Sequence, residues 1–370
     1  MVIYFILIGY VLILPFVLRF FIKDDRKLQQ FVALFGMLGI FLVLGLKAPT
    51  VGVDISGYYD QYYLAKEVSW SNFDYVYFEK GYVFLEKVFS KSGISFQGFT
   101  IFLYGVECTA WYLLISRFSS DAMLSVLSFI CYQFFVLSAS GLRQALAMAV
   151  CIFAYLFFIR DSRFAKVIGL LLIGTAVLIH SSAIFFFIIP IIVWISTRFA
   201  AIRLPEIILC VVIAFVIRQT VWIFVNNLIK EVDVNSSIAL GGSFLFQVGI
   251  MVFSVFTYDT YYHFGLLRNH GLNTAADTVE LQDTLEVRLS VIAVAALILL
   301  SGGKMLRAAM YINMLLIPLL PNMIQKYRRD QRLVIKVILI LFLVILFYKD
   351  TLAVNQLAIS HYQFFWQVLA

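Results

Sequence analysis

The chain has 370 residues, of which 63% are hydrophobic and only 13% are charged. Soluble domains are typically under half apolar and about a quarter charged, so this composition excludes an ordinary soluble domain. The formal net charge of +7 indicates membrane topology rather than nucleic-acid binding, because the basic residues gather in short loops between apolar segments. The four cysteines all fall in apolar segments without metal-ligand spacing, and we expect them to be small buried hydrophobes.

The apolar segments are continuous, and each has close to the ~20 residues that cross the hydrocarbon core as a helix. They predict an all-α polytopic membrane protein, organised as a single domain over residues 1–370 with about twelve spans. The spans are expected at residues 2–22, 30–46, 97–116, 122–139, 142–159, 166–180, 183–197, 206–225, 242–258, 287–301, 307–323 and 333–349.

Basic residues in the short loops predict the orientation, because such loops are enriched in Lys and Arg on the cytoplasmic side. Every second loop is basic, and these loops are KDDRK (23–27), RDSRFAK (160–166), STRFAAIR (196–203) and QKYRRDQR (325–332). We therefore expect both termini to lie outside. Two loops are long, an external one at 47–97 and a cytoplasmic one at 259–286.

The long external loop combines aromatic rings with carboxylates. It begins KAPTVGVDISGYYDQYYLAKEV, where Asp54, Tyr58 and Tyr62 would share one face of a helix. An amphipathic stretch follows Gly81. Aromatic faces with acids such as Glu79 nearby suit sugar rings, whereas the alternative is an interfacial aromatic belt with solvated acids.

Arg143 and Arg218 are two of the arginines that fall within predicted spans. Arg143 is at the outer end of the fifth span, where the alternative to a functional role is a snorkelling interfacial side chain. Arg218 has apolar residues on both sides in the eighth span and should face the interior of the bundle near a partner. Glu107 is the other deep charge, so a structural Glu107–Arg218 pair is the competing interpretation.

Polar groups are also expected at the outer ends of other spans. His180 ends the sixth span, where it is either a structural residue or a group that accepts a hydroxyl proton near pH 7. Arg307 and Tyr311 lie one turn apart and share a helix face. Several cations near one leaflet, without enough carboxylates to neutralise them, predict an anionic ligand. Guanidinium groups match phosphate oxygens two at a time, and an anion resident in the membrane suggests a lipid phosphate.

In chain order, five short stretches resemble the EpsG-like, Wzy-type polysaccharide polymerases. They are LGLKAPTVGVDISGYY, FEKGYVFLEKVF, SGLRQALAMAV, LIHSSAIFFFIIP and MLRAAMYINMLLIP, and they are spread over most of the chain. One departure is visible at Lys47, where the family often has Arg. A Lys at this position keeps the charge but loses the bidentate fork.

The resemblance implies a glycosyltransferase at the outer face of the bacterial cytoplasmic membrane, facing the periplasm or the cell exterior. Such enzymes transfer a growing glycan from undecaprenyl diphosphate to a sugar hydroxyl of a second lipid-linked oligosaccharide. Neither a metal, a nucleotide sugar nor any other cofactor is required. The expected partners are undecaprenyl-diphosphate-linked oligosaccharides and membrane lipid, with a chain-length regulator and a flippase of the same pathway, and no nucleic acid.

The reaction assigns a role to each candidate residue. His180 is preferred as the base that accepts the hydroxyl proton, with Asp54 as the alternative. The cations expected to bind the diphosphate are Arg143, Arg218, Arg307 and Lys47. The residues expected to hold the glycan are Glu79, Tyr82, Tyr58 and Tyr62. Gln144 and Tyr311 are expected to support the site, and Glu107 to be a structural counter-charge.

Two other functions remain open at the level of sequence. An O-antigen-ligase-like glycosyltransferase shares the donor chemistry and differs only in its acceptor. A transporter or flippase of lipid-linked oligosaccharide would need a central cavity open alternately to both sides, often built from repeated halves. No such repeat is apparent, and the polar groups gather towards one face of the membrane.

Overall fold

The computed structural model describes residues 2–160, 162–198, 204–229, 242–262, 276–300, 306–353 and 358–368. The protein is 82% helical and has no strand in these described residues, which agrees with the all-α prediction. Contacts divide the chain into two compact units, the first formed by Met1–Ile184 with Lys336–Ala370 and the second by Phe185–Ile335. The prediction of a single domain over 1–370 stays a prediction.

The first unit holds the helices that precede residue 184. They are α1 (Val2–Arg19), α2 (Asp25–Gly45), α3 (Ile55–Glu67), α4 (Lys80–Lys91), α5 (Phe96–Phe118), α6 (Ala122–Cys131), α7 (Phe134–Ser140), α8 (Leu142–Phe158) and α9 (Arg163–Ile179). Several begin at a residue whose side chain accepts a backbone N–H of the first turn, as Asp24, Ser95, Asp121 and Ser162 do. The sequence therefore sets these starting points locally.

Apolar helices fill much of the second unit. They are α10 (Ile188–Arg198), α11 (Leu204–Ile229), α12 (Gly242–Tyr262), α13 (Ala276–Leu300), α14 (Leu306–Asn313) and α15 (Leu316–Gln325). In this unit α13 packs against α10, α11, α12 and α14. The next helix, α16 (Arg329–Leu346), spans the sequence boundary between the units.

Length and hydropathy identify fewer spans than the sequence predicts. In the described part of the chain, α1, α2 and α5 are long and apolar enough to cross a membrane, and the bent pair α6–α7 would add a fourth. Shorter apolar helices occur at six further places, including α8. The protein is therefore a helical chain with candidate membrane-crossing segments, while the count of about twelve stays a prediction.

Three predicted spans are not continuous α-helices. The segment 122–139 breaks between α6 and α7, which meet at 53°, because Gln133 adopts a left-handed φ of 55° that a helix cannot contain. The segment 307–323 is divided by a turn between α14 and α15. A third, 183–197, begins as a 3₁₀ turn over Ser181–Phe187 before α10 starts.

The connection 47–97 contains the helices α3 and α4, which pack against each other. Tyr58 and Tyr62 are both buried on one face of α3, as the spacing predicts. The helix α4 forms from the predicted amphipathic stretch. Neither helix is among the candidate spans of the described residues, and together they form the layer that carries the site.

Candidate functional site

Two antiparallel helices bring Arg143 and His180 to the same end of the first unit. The helices α8 and α9 have 17 residues each and pack along each other, with only a short turn between them. Arg143 lies in the first turn of α8, and His180 caps the end of α9. The chain therefore places the start of one helix beside the end of the next.

Glu79 joins these two residues. Its Oε2 atom lies 2.5 Å from Nη1 of Arg143, and its Oε1 atom lies 3.4 Å from Nδ1 of His180. The backbone N–H of Ser181 donates to the same Oε1 atom at 2.8 Å. Arg143, Glu79 and His180 thus form one cluster, and each side chain keeps about a fifth of its surface exposed.

The position of Glu79 depends on a close contact between α4 and α9. Glu79 immediately precedes α4, and Gly81 in the first turn lies against the backbone of Leu178. A Cβ at Gly81 would come within 2.6 Å of the carbonyl oxygen of Leu178, so only glycine permits this approach. The contact places the carboxylate over the end of α9.

Aromatic rings surround the guanidinium of Arg143. Its Cζ atom lies 3.8 Å from the ring centre of Phe78 and 5.9 Å from that of Tyr58. The Nε atom donates a hydrogen bond to the hydroxyl of Tyr58 at 3.3 Å. Stacking and hydrogen bonding fix the plane of the guanidinium, which leaves its other N–H groups in a defined direction.

The Glu79 carboxyl is ionised. Burial raises its pKa, but hydrogen bonds from His180 and Ser181 together with the charge of Arg143 outweigh burial and hold the pKa at about 2. The sequence predicts several cations without enough carboxylates to neutralise them, and the structure shows that Arg143 has a carboxylate partner. The partner was missed because the two residues are 64 positions apart and meet only through the packing of α4.

Asp54 lies beside this cluster at the start of α3. Gly52 has a φ of +106°, and a Cβ there would lie 2.4 Å from the carbonyl oxygen of Ala139. This close approach brings the backbone N–H of Asp54 within 3.3 Å of the Ser140 hydroxyl, which also reaches the carboxylate at 3.4 Å. Asp54 is therefore held against the α7–α8 junction, one turn before Tyr58.

The tyrosines expected to hold the glycan are inside the protein. Tyr58 is 6% exposed, and Tyr62 and Tyr82 are fully buried. The Tyr62 hydroxyl donates to the carbonyl of Ile94 at 2.8 Å. Their rings pack against one another and against neighbouring Phe rings, so they support the site rather than offer a face to a sugar. The exposed rings of this region are Tyr59, Tyr63, Trp70, Tyr77 and Phe84.

Lys47 is buried away from solvent. Its Nζ atom donates to the carbonyl of Val51 at 2.7 Å, and its backbone forms an isolated β-bridge with Phe364. Burial lowers the pKa of the Lys47 ammonium to about 7. This side chain is 5% exposed, so a diphosphate ligand would have to displace the segment that covers it.

Most of the remaining candidates are buried. Glu107 is buried and accepts a hydrogen bond from the Ser138 hydroxyl, and Gln144 is buried beside Arg143 on α8. In the second unit, Nε of Arg218 donates to the carbonyl of Ile298 at 3.0 Å, and Tyr311 is buried on α14. The Arg307 side chain lies outside the described residues, and its role stays a prediction, as does that of Arg218.

Sequence reasoning missed two contributors. Phe78 stacks on Arg143, and the Ser181 backbone N–H binds Glu79. The only available signal was their position next to residues already selected, at 79 and 180. No group of three or more His, Cys, Asp and Glu that could hold a metal is found in the residues that the structure describes.

The site combines an oriented imidazole, an ionised carboxylate and a stacked guanidinium. Comparison with curated proteins and with solved structures gives no significant match. A family model, that of the EpsG family, matches residues 31–364. The match covers nearly the whole chain and includes Arg143, Glu79 and His180. It confirms the resemblance to this family that the short motifs indicate. The protein belongs to the EpsG family.

Proposed function

We propose that the protein is a polysaccharide polymerase that transfers a glycan from a lipid diphosphate to a sugar hydroxyl of a second lipid-linked oligosaccharide. The observation that carries the proposal is the Arg143–Glu79–His180 cluster at one end of α8 and α9. Membership of the EpsG family supports a polymerase-type role. The lipid carrier, the outer face of the membrane and the metal-independent chemistry are part of the proposal.

His180 takes the role of the base. The ionised Glu79 lies 3.4 Å from Nδ1 of His180 and favours the tautomer that carries its hydrogen on Nδ1. The Ser182 hydroxyl, 3.3 Å from the same nitrogen, is then an acceptor, and Nε2 accepts the proton. When the acceptor hydroxyl gives its proton to Nε2, the imidazolium is stabilised by the same carboxylate. The dyad therefore supplies both the orientation and the counter-charge that a histidine base needs.

Arg143 takes the role of the diphosphate ligand. In the reaction, a bond forms from the acceptor oxygen to the anomeric carbon, and the bond from that carbon to the phosphate oxygen breaks. The diphosphate leaves with the electron pair, and the proton goes to His180. A guanidinium fixed by Phe78 and Tyr58 stabilises the charge that grows on the leaving oxygen without reorganising.

Reconstitution of the purified protein with one lipid-diphosphate-linked oligosaccharide tests the proposal. A ladder of longer products is expected. Movement of the lipid across the bilayer without new glycosidic bonds would instead establish a flippase, and a single transfer to a different acceptor would establish a ligase. Either of these results contradicts the polymerase assignment.

Variants in the same assay connect the activity to the cluster. Arg143→Ala is expected to abolish the ladder while the protein still inserts, because it removes the guanidinium that stacks on Phe78 and pairs with Glu79. Arg160→Ala is the matched control, since Arg160 follows the opposite end of α8 and is exposed. A normal ladder from Arg143→Ala would remove this residue from the mechanism.

A further inference from the structure

A group of buried oxygen atoms lies behind the site, in the layer formed by α3, α4 and the connection between them. These atoms have no hydrogen-bond partner among the described residues, and they are Gln61 Oε1, Tyr75 OH, Tyr82 OH, Glu86 Oε1, Glu86 Oε2 and Ser90 Oγ. Buried polar groups are nearly always hydrogen-bonded, and each exception calls for an explanation. The proposed reaction uses none of these residues.

The geometry of α4 explains how the group arises. Tyr82, Glu86 and Ser90 are spaced i, i+4 and i+8, so they form a polar stripe along one face of the helix. All three are buried, and Glu86 has no exposed surface. The centre of the stripe is thus a carboxyl group with two unsatisfied oxygens inside the protein.

The neutral form of this carboxyl is the stable one near pH 7. Burial raises the pKa of Glu86 to about 8, and the charge of Arg143 opposes the rise. A protonated carboxyl avoids an unpaired buried charge, which is far more costly than an unpaired neutral group. Its ionisation would place a new anion behind Arg143.

Aromatic contacts connect Glu86 to the guanidinium. The ring of Tyr82, one turn before Glu86, lies 5.8 Å from the ring of Tyr58 and 5.8 Å from that of Phe78. Tyr58 and Phe78 are the two rings that hold Arg143. Ionisation of Glu86 therefore affects Arg143 in two ways, through the electric field of the new charge and through the contacts of the Tyr82 ring with Tyr58 and Phe78.

The other titratable groups around Glu86 keep one state over the relevant pH range. Tyr62 of α3, Tyr75 of the connection and Tyr82 of α4 all interact with Glu86, and burial raises the pKa of each hydroxyl further above its ordinary value. Arg143 of α8 remains charged. From α5 and α9, the surfaces packed on α4 include the Phe99 ring and the Leu178 backbone, which do not titrate.

We propose that Glu86 is a positioning residue that keeps its proton while Arg143 binds the diphosphate of the donor, so that loss of this proton weakens donor binding. The inference rests on the proposed function for the identity of the ligand. When the diphosphate neutralises Arg143, the cation no longer favours the ionised form of Glu86. Binding therefore raises the affinity of Glu86 for its proton, and by linkage the proton raises the affinity for the diphosphate.

The effect has a defined size and direction. If diphosphate binding raises the pKa of Glu86 by about one unit from its value of about 8, the affinity becomes about fivefold weaker at pH 9 than at pH 7. Glu86→Gln mimics the neutral acid, so its affinity should equal that of the unaltered protein at pH 7 and stay level to pH 9. The matched control is Glu67→Gln, because Glu67 is exposed at the end of α3 and should retain the normal pH profile.

The experiment measures binding of undecaprenyl diphosphate to the purified protein and these two variants between pH 6.5 and pH 9.5, and the thermal unfolding midpoint in parallel. A loss of affinity at high pH that Glu86→Gln abolishes supports the inference. An equal loss in Glu86→Gln, or level binding in the unaltered protein, overturns it. If the protein binds no diphosphate at any pH, the proposed function fails, and with it the coupling; the unfolding midpoint then still shows whether Glu86 titrates near pH 8.

Discussion

Glu79→Gln is the sharpest test of the cluster, because it keeps the shape of the side chain and removes only its charge. The change breaks the ion pair with Arg143 at 2.5 Å and weakens the contact with His180 at 3.4 Å. Both partners are then left partly buried beside a neutral amide. We expect lower stability of the first unit and loss of glycan transfer, since His180 loses the group that orients it.

The magnitude follows from the Glu79 carboxyl. Its surroundings lower its pKa from 4.5 to about 2, a difference of about 2.5 units, and each unit corresponds to about 1.4 kcal/mol. The ionised carboxylate therefore stabilises the folded state by about 3 kcal/mol at neutral pH. Because the folded pKa is depressed, this contribution is present above pH 4.5 and is lost as the pH falls through 2.

Buried thiols provide the assay. Cys108, Cys131 and Cys151 are all buried in the first unit, so a thiol-reactive dye reports when that unit opens. Glu79→Gln should lower the free energy of unfolding by about 3 kcal/mol at pH 7, and the difference from the unaltered protein should shrink in acid. The exposed Glu67→Gln serves as the control. Equal stability at pH 7 with full activity would refute this account of Glu79.

Three further changes test other parts of the site. Gly81→Ala should push α4 away from α9, because its Cβ would meet the Leu178 backbone; we expect the free energy of unfolding to fall by about 1–3 kcal/mol and activity to be lost. Gly57→Ala, where the space is open, should retain both stability and activity. Tyr77→Ala should raise the KM for the acceptor glycan and leave donor binding unchanged, since this fully exposed ring lies two residues before Glu79. Tyr77→Trp should restore the KM of the unaltered protein, and an unchanged KM in Tyr77→Ala would exclude stacking at Tyr77. The free energy of unfolding of the unaltered protein should rise between pH 7 and 10.5, because the lowered pKa of Lys47 means that the folded state binds fewer protons than the unfolded state in this range. Lys47→Met should abolish this rise, as measured by the thiol-dye assay over the same pH range; a rise that remains in the variant would contradict the assignment to Lys47.

Local sequence patterns predict the elements that carry the site. The i, i+4 spacing of Tyr58 and Tyr62 and the amphipathic stretch after Gly81 appear as α3 and α4. The apolar runs on either side of residue 160 appear as α8 and α9. Arg143 and His180 were expected at the same side of the membrane, and they share a partner in the structure.

The contacts that define the site depend on tertiary packing. Glu79 was expected to hold a glycan, and its contacts with Arg143 and His180 were not predicted. No pattern in the sequence shows that Gly81 allows α4 to contact α9. The bend at Gln133 escaped prediction because hydropathy does not register a left-handed φ. Lys47 was expected to bind the diphosphate, but its side chain is buried with Nζ 5.9 Å from the ring centre of Tyr104. Each difference arises from residues that are distant in sequence.

The ion pair between Arg143 and Glu79 also bears on which anions the protein ignores. A guanidinium that already has a carboxylate at 2.5 Å gains little from a dilute competing anion, so inorganic phosphate and free nucleotides should bind it only weakly. An anion tethered to the bilayer is confined to a thin layer beside the protein, and its effective concentration there is far higher. If the ligand is the proposed lipid diphosphate, selectivity for it comes from its confinement to the bilayer, because only an anion held at high local concentration can compete with Glu79 for the N–H groups of Arg143.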